Sequence, residues 1–192
     1  MSSPSARGRP RARAFVLGDS ISKHYFPFLQ ECLRGAFVLS KNEEAGDSSL
    51  VIAVLKKLMA EGGPDADVLL VNCGLHDIKT PLAGGSKQVP LGQYRRNLKE
   101  IIALARKTRA EMVWVRTTPV DDATHNRRRG MEFHRFAADV AAYNRAADRI
   151  MKAAGVPMID LYAFTLTQGP KLYMDHVHYR MEIRRRQAAF LA

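Results

Sequence analysis

The sequence predicts a three-layer α/β/α sandwich around a five-stranded parallel sheet, with a flavodoxin-like arrangement. Five short apolar runs predict the strands. They are continuous rather than alternating, which is typical of strands covered on both faces of a parallel sheet. Segments with apolar residues at helical spacing lie between these runs. Strands that alternate with helices favour an α/β domain with right-handed crossovers.

Each element follows from a local pattern. The predicted strands are residues 14–17, 36–39, 67–71, 111–115 and 156–159. The predicted helices are residues 21–34, a segment around residues 50–58 that Ser48 or Ser49 caps, residues 91–108, and a segment from residue 137 that ends at Gly155. Residues 80–90 and 121–130 are predicted loops.

The 192 residues suffice for one domain with a full core. We expect a disordered basic tail at residues 1–13 and a single domain at residues 14–192. No apolar run approaches the roughly 18 residues of a membrane helix, and the tail has no apolar segment typical of a secretory signal. Cys32 and Cys73 each lie in an apolar context. This context predicts two buried thiols in a reducing compartment and therefore a cytoplasmic protein.

The net charge of +11 comes mainly from three basic clusters. They are Arg7, Arg9, Arg11 and Arg13 in the tail, Arg127 to Arg129 in a predicted loop, and Arg184 to Arg186 near the C-terminus. Aromatic residues do not interleave with them as on a surface that stacks single-stranded nucleic acid. Solvated charge is the simpler interpretation, and attraction to an anionic substrate, membrane surface or nucleic acid is the alternative.

Active groups of an open parallel sheet lie beyond the carboxyl ends of its strands. Ser20 follows the first predicted strand through Gly18 and Asp19. Helix N-terminal amides after such a turn would point at a developing oxyanion, which makes Ser20 a candidate nucleophile. The alternative is a serine that only caps a helix.

A serine nucleophile needs a base, and the base needs an acceptor that fixes its tautomer. Asp175 and His178 lie three residues apart near the C-terminus. In a turn, the carboxylate can accept from the imidazole Nδ1–H and leave Nε2 free for Ser20. Asp175 as a helix cap is one alternative. A metal site that includes His176 is another, but no second ligand cluster accompanies it, so no metal and no cofactor are predicted.

Together these blocks resemble the SGNH (GDSL-type) hydrolase superfamily over nearly the whole chain. Gly18-Asp19-Ser20 is similar to the first block, and Asp175-His176-Val177-His178 to the last. The resemblance implies a Ser20–His178–Asp175 triad, and an oxyanion hole from the Ser20 and Gly46 backbone N–H groups and a third donor. Residues 74–77 match the block that supplies this donor, usually in a Gly-x-Asn-Asp sequence.

The sequence departs from the family at His76, which replaces the asparagine of that block. An imidazole N–H is also a donor and would add a pH dependence that an amide lacks. Asn72 as a substitute donor, or a packing role for His76, are the alternatives. Asp19 and Asp77 are expected to fix their loops by hydrogen bonds. His24, His125 and His134 have no paired acid nearby in the sequence and are expected to be solvated or structural.

The resemblance implies a serine carboxylic-ester hydrolase that acts through an acyl-enzyme. Short loops favour an open site and small, acetyl-type acyl groups on a carbohydrate or lipid ester. Two alternatives remain at this stage. One is a glycan O-acyltransferase with the same site, and the other is a non-catalytic binding module that uses its basic clusters to bind an anionic partner.

Overall fold

A parallel five-stranded sheet runs through the centre of the structure, a computed structural model that describes residues 11–44 and 46–192. The strands are β1 (Ala12–Leu17), β2 (Phe37–Lys41), β3 (Val68–Val71), β4 (Thr80–Pro81), β5 (Glu111–Val115), β6 (Phe133–His134) and β7 (Met158–Ile159). The sheet order is β2-β1-β3-β5-β7, which is the flavodoxin-like order. This confirms the predicted fold class.

Seven helices accompany the strands in the described part of the chain. They are α1 (Ser20–Leu33), α2 (Ser48–Ala60), α3 (Leu91–Ala105), α4 (Asp122–Arg127), α5 (Ala137–Ala154), α6 (Leu161–Leu166) and α7 (Met181–Leu191). Helices α1 and α6 pack against α7, whereas α3 packs against α2 and α5. Right-handed crossovers place these two groups on opposite faces, because the strand order reverses direction after β2.

Several predicted boundaries need correction. β1 begins at Ala12, so Ala12 and Arg13 belong to the sheet rather than to the tail. Residues 1–10 of the predicted tail lie outside the described residues. Asp47, not Ser48 or Ser49, caps α2, because its carboxylate accepts from the backbone N–H groups of Ser49 and Leu50.

The two predicted loops also contain regular structure. Residues 121–130 hold α4, and residues 80–90 begin with β4, which pairs antiparallel with β6. These elements are too short to leave a periodic apolar pattern. The prediction for α5 is confirmed at its end, where Gly155 adopts the left-handed conformation with a φ of 69°.

The cysteines agree only in part with the prediction. Both are free thiols, and Cys73 is buried, but Cys32 is exposed. Cys32 lies in the last turn of α1, beyond the buried stripe that ends at Leu29. No helix in the described part of the chain combines the length and apolar character needed to cross a membrane.

Candidate active site

Ser20 is the first residue of α1 and lies just beyond the carboxyl end of β1. Asp19 caps the helix, because its carboxylate accepts from the N–H of Ile21 at 2.9 Å. Asn42, after β2, clamps the same turn from the other side. Its amide oxygen accepts from the N–H of Gly18 at 3.0 Å, and its Nδ2 donates to the Gly18 carbonyl at 3.2 Å.

The predicted triad residues lie in one continuous hydrogen-bonded chain. Ser20 Oγ is 2.9 Å from His178 Nε2, and His178 Nδ1 is 2.7 Å from Asp175 Oδ2. With a proton on Nδ1 that it donates to Asp175, the neutral imidazole presents the Nε2 lone pair to the Ser20 hydroxyl. Ser20 and His178 lie 158 positions apart in the sequence, and they meet because β1 and the loop before α7 end at the same edge of the sheet.

Asp175 stays ionised because of its local turn. Partial burial raises the pKa of its carboxyl, but hydrogen bonds from His178 and Val177 outweigh this and lower the pKa to about 2. The Oδ1 atom accepts from the backbone N–H groups of Val177 at 2.8 Å and His178 at 2.7 Å. Oδ2 therefore remains directed at the imidazole, which keeps the imidazole orientation fixed.

The loop after β3 carries His76 and is held tightly at its base. Gly74 has a φ of 150°, and a Cβ there would lie 2.4 Å from Thr117 Oγ1. Asn72 donates from Nδ2 to the Val115 carbonyl at 2.8 Å, which ties β3 to β5. The same nitrogen lies 3.4 Å from Thr117 Oγ1, so both of its hydrogens are directed at the end of β5 and the segment after it. These contacts argue against the alternative in which Asn72 supplies the missing oxyanion donor.

Asp77 anchors the same loop to the start of α2. Its carboxylate accepts from the backbone N–H of Ser48 at 3.0 Å and from the Ser48 hydroxyl. Burial raises the Asp77 pKa to about 7, against the lowering effect of these hydrogen bonds. Asn97, on α3, donates to Ser48 Oγ at 2.8 Å. Asp77 thus connects the loop after β3 to α2 and, through Ser48, to α3.

His76 lies next to this anchor and is partly exposed. Its imidazole makes no hydrogen bond to any residue in 11–44 or 46–192, so an N–H is available for a ligand. Partial burial, together with the positive charges of Lys79 and Arg135, lowers the His76 pKa to about 4. The side chain is neutral near pH 7 and has one ring N–H to donate.

Gly46 is the residue before Asp47, the N-cap of α2. A Cβ at this position would lie 2.7 Å from Leu50 Cδ2, the end of a flexible side chain, so an alanine here would displace the Leu50 side chain. Ser48, two residues after Gly46, donates its backbone N–H to Asp77, the residue after His76. This hydrogen bond connects the segment that carries Gly46 to the loop that carries His76.

Arg135 is a site residue that the sequence analysis missed. It is buried, with 5% of its surface exposed, and its Nε donates to the Leu75 carbonyl at 2.7 Å. Its guanidinium lies over the Phe133 ring, 4.8 Å from the centroid. Burial lowers the Arg135 pKa to about 10, whereas the charges of Asp19 and Asp175 raise it. Arg135 therefore stays charged at neutral pH, in contact with Leu75, the residue before His76.

Two histidines that were expected to be solvated or structural contact the loop that carries Asp175 and His178. The His24 ring lies 4.5 Å from that of His178, centroid to centroid. His125 is fully buried, and its Nδ1 is 2.6 Å from His176 Nδ1. Within the described residues, no group of three or more His, Cys, Asp or Glu side chains has a metal-binding arrangement.

Comparison with solved structures identifies the fold as that of GDSL/SGNH acylhydrolases. A lipase/acylhydrolase from Enterococcus faecalis superposes with a TM-score of 0.73 and 16% identity over 93% of each chain. A GDSL-like lipase from Bacteroides thetaiotaomicron gives 0.71 and 14%, covering 97% of this chain and 90% of the other. The predicted resemblance is thus confirmed at the level of the fold.

A carbohydrate acetylesterase from Sinorhizobium meliloti has the same fold, with a TM-score of 0.67 and 11% identity over 94% of this chain and 96% of the other. No protein-family model matches the sequence, and a comparison with curated proteins finds no significant match. The site geometry therefore carries the functional argument.

Proposed function

We propose that the protein is a serine carboxylic-ester hydrolase that acts through an acyl-enzyme. The hydrogen-bonded chain from Ser20 Oγ through His178 to Asp175 is the observation that carries this proposal. A hydroxyl becomes nucleophilic when a neutral imidazole accepts its proton, and the carboxylate stabilises the imidazolium that forms.

The reaction has two stages. His178 Nε2 takes the proton of Ser20, whose Oγ attacks the ester carbonyl, and the same proton then passes to the leaving alcohol as the carbon–oxygen bond breaks. Water attacks the acyl-enzyme with His178 again as the base, and the acid is released. The N–H groups of Ser20, Gly46 and His76 would donate to the oxyanion that forms in both stages.

The proposed acyl group is small and acetyl-like. Ser20 and His178 are both partly exposed at the sheet edge, which is consistent with an open site. One protein with this fold is described as a carbohydrate acetylesterase, which supports acetylated sugars as a substrate class to test. No cofactor is part of the proposed reaction.

Hydrolysis of 4-nitrophenyl esters of increasing acyl length tests the proposal, with Ser20→Ala as the matched control. We expect the acetate to be hydrolysed fastest and the variant to lose at least about 10³-fold in turnover. Labelling with a fluorophosphonate probe should modify Ser20 only in the wild type. Equal hydrolysis by the two proteins, together with no labelling, would exclude an activated serine and favour a binding module.

A further inference from the structure

His24 lies one helical turn after Ser20 on α1. Residues four apart share one face of an α-helix, and their side chains lean toward its N-terminus. The His24 side chain therefore projects beside the turn that carries Ser20. Its ring centroid lies 4.5 Å from that of His178, with 53° between the two ring planes. The helix that carries the nucleophile thus also supplies a ring in contact with the proposed base.

The backbone around His178 is held by contacts that do not involve His24. Arg184, on α7, donates from Nε to the Tyr179 carbonyl at 2.6 Å and from Nη2 to Met174 Sδ at 3.4 Å. The Met174 N–H donates to the His178 carbonyl at 2.8 Å. These contacts fix the loop on both sides of His178, but they leave the orientation of its imidazole to side-chain contacts.

One of the two hydrogen bonds of the His178 ring is lost during the proposed reaction. In the acyl-enzyme, Ser20 Oγ is bound to the acyl group and has no proton to donate. Of the triad contacts, only the hydrogen bond from Nδ1 to Asp175 then remains. The terminal torsion of a histidine has a broad energy profile, so one hydrogen bond does not fix the ring plane. The contact with His24 does not depend on the state of Ser20 and remains in both stages.

The His24 ring is neutral near pH 7. Burial first, and then the positive charges of Arg184 and His178, lower its pKa to about 4, although the charge of Asp175 opposes this. A neutral ring does not repel the imidazolium that forms on His178, whereas a protonated ring would. Within residues 11–44 and 46–192, the buried His24 Nδ1 has no hydrogen-bond partner, so its contact with His178 is not part of a hydrogen-bonded network.

We propose that His24 is a positioning residue for His178. Its neutral ring packs against the imidazole, keeps Nε2 directed at the reacting oxygen and accommodates the imidazolium in both stages. The inference rests on the proposed ester hydrolysis and adds a residue to its site. His24 acts through His178 rather than on the substrate, and its effect should therefore appear in kcat.

The test compares His24→Ala with His24→Phe, which keeps an aromatic ring but cannot titrate. On 4-nitrophenyl acetate, we expect His24→Ala to lower kcat by about 10–100-fold with little change in KM, because small misplacements of a catalytic group are costly. His24→Phe should stay within about fivefold of the wild type, because aromatic pairs at this centroid distance pack favourably. A normal kcat in His24→Ala would overturn the proposal, and so would a failure of phenylalanine to restore it.

Phe28→Ala is the matched control. Phe28 lies one further turn along α1 and contacts α7, where the Arg185 guanidinium lies 5.2 Å from its ring centroid. Its removal loosens the same pair of helices without touching His178. The kcat of Phe28→Ala should stay within about threefold of the wild type. An equal loss of kcat in Phe28→Ala and His24→Ala would mean that only the packing of α1 matters.

Pre-steady-state release of 4-nitrophenol separates the two stages. Because Ser20 Oγ no longer holds the His178 ring in the acyl-enzyme, we expect His24→Ala to slow deacylation more than acylation. Equal effects on the two rate constants would contradict the proposed role in the second stage.

The pH profile tests the charge of His24. The acid limb of kcat/KM reports the protonation of the base. His24→Phe should keep this limb within about 0.3 pH units of the wild type, because both rings are neutral there. A limb that moves to higher pH by about one unit would show that His24 carries a positive charge in the active enzyme, and would overturn the proposal.

A measurement without substrate separates this inference from the proposed hydrolysis. If no ester is hydrolysed above the Ser20→Ala control, the proposed function fails, but the positioning of His178 can still be measured by NMR. The His178 Nδ1–H resonance, assigned by its loss in His178→Gln, should be sharp in the wild type, His24→Phe and Phe28→Ala. In His24→Ala it should broaden as the ring moves and the proton exchanges with water. Equal line widths in His24→Ala and the wild type would overturn the positioning role independently of catalysis.

Discussion

Asp175 is held by backbone hydrogen bonds on one oxygen while the other faces His178. Asp175→Asn preserves most of this geometry, because an amide oxygen can still accept from the backbone N–H groups. The amide nitrogen then faces Nδ1 as a donor and stabilises the wrong imidazole tautomer. We expect kcat on 4-nitrophenyl acetate to fall by about 10³–10⁴-fold with little change in KM.

Asp65→Asn is the matched control for this substitution. Asp65 is exposed and pairs with Arg13 at the opposite edge of the sheet. The kcat of Asp65→Asn should stay within about twofold of the wild type, since the residue is remote from Ser20 and an exposed ion pair contributes little to stability. An Asp175→Asn protein with normal turnover would show that the aspartate does not orient the base.

His76 contributes to catalysis only if its free N–H reaches the oxyanion. The negative charge of the oxyanion exists in the transition state and not in the bound ester. Loss of the His76 N–H should therefore lower kcat rather than raise KM. We expect His76→Ala to lose about 10²–10³-fold in kcat, and His76→Asn, which restores an amide donor, to stay within about tenfold of the wild type. Full activity in His76→Ala would remove this residue from the oxyanion hole.

At the scale of an element, the connection after β3 depends on Gly74. Alanine there would combine a left-handed φ of 150° with a Cβ only 2.4 Å from Thr117 Oγ1. We expect Gly74→Ala to lower the free energy of unfolding by at least about 2 kcal/mol in urea titrations. It should also reduce turnover, since the same loop carries His76.

Gly35→Ala provides the comparison for this substitution. A Cβ at Gly35 meets no atom within 4 Å, and its φ is ordinary. The free energy of unfolding should therefore change by less than about 1 kcal/mol. If both variants were equally stable, the contact with Thr117 would not constrain the loop.

The sequence predicts the elements whose apolar pattern is continuous or periodic over several residues. All five sheet strands and four of the helices belong to this group. The helix α4 and the strands β4 and β6 have only two to six residues each, so their formation depends on tertiary contacts. One such contact is the pair of hydrogen bonds between Asn126 and Arg135.

At the scale of the whole molecule, the nucleophile and the base of the candidate site could be predicted from the sequence, but the polar residues that support their loops could not. Ser20 and His178 lie in short motifs that imply their contact from sequence. Arg135 and Asn42 instead act through single backbone carbonyl or N–H groups of residues remote in sequence, Leu75 and Gly18. Such contacts leave no spacing pattern, because only the assembled sheet edge brings the partners together.

The His125–His176 pair links stability of the whole molecule to pH. His125 Nε2–H donates to the Phe133 carbonyl, so its Nδ1 accepts from His176 Nδ1–H. Burial first, and then the charges of Arg135 and His176, lower the His125 pKa to about 4. Between about pH 6.5 and 4, the unfolded chain binds a proton at this histidine that the folded chain does not bind. Its contribution to stability is therefore present at neutral pH and is lost as the pH falls through this window.

His125→Asn isolates this contribution, because the asparagine can still accept from His176 but does not titrate. Asp77, whose pKa is raised to about 7 by burial, acts in the opposite direction but is present in both proteins. Urea titrations at pH 7.5 and 5.0 should show the stability advantage of the wild type shrinking by about 1–2 kcal/mol on acidification. A difference between the two proteins that is the same at both pH values would mean that His125 titrates alike in the folded and unfolded chains.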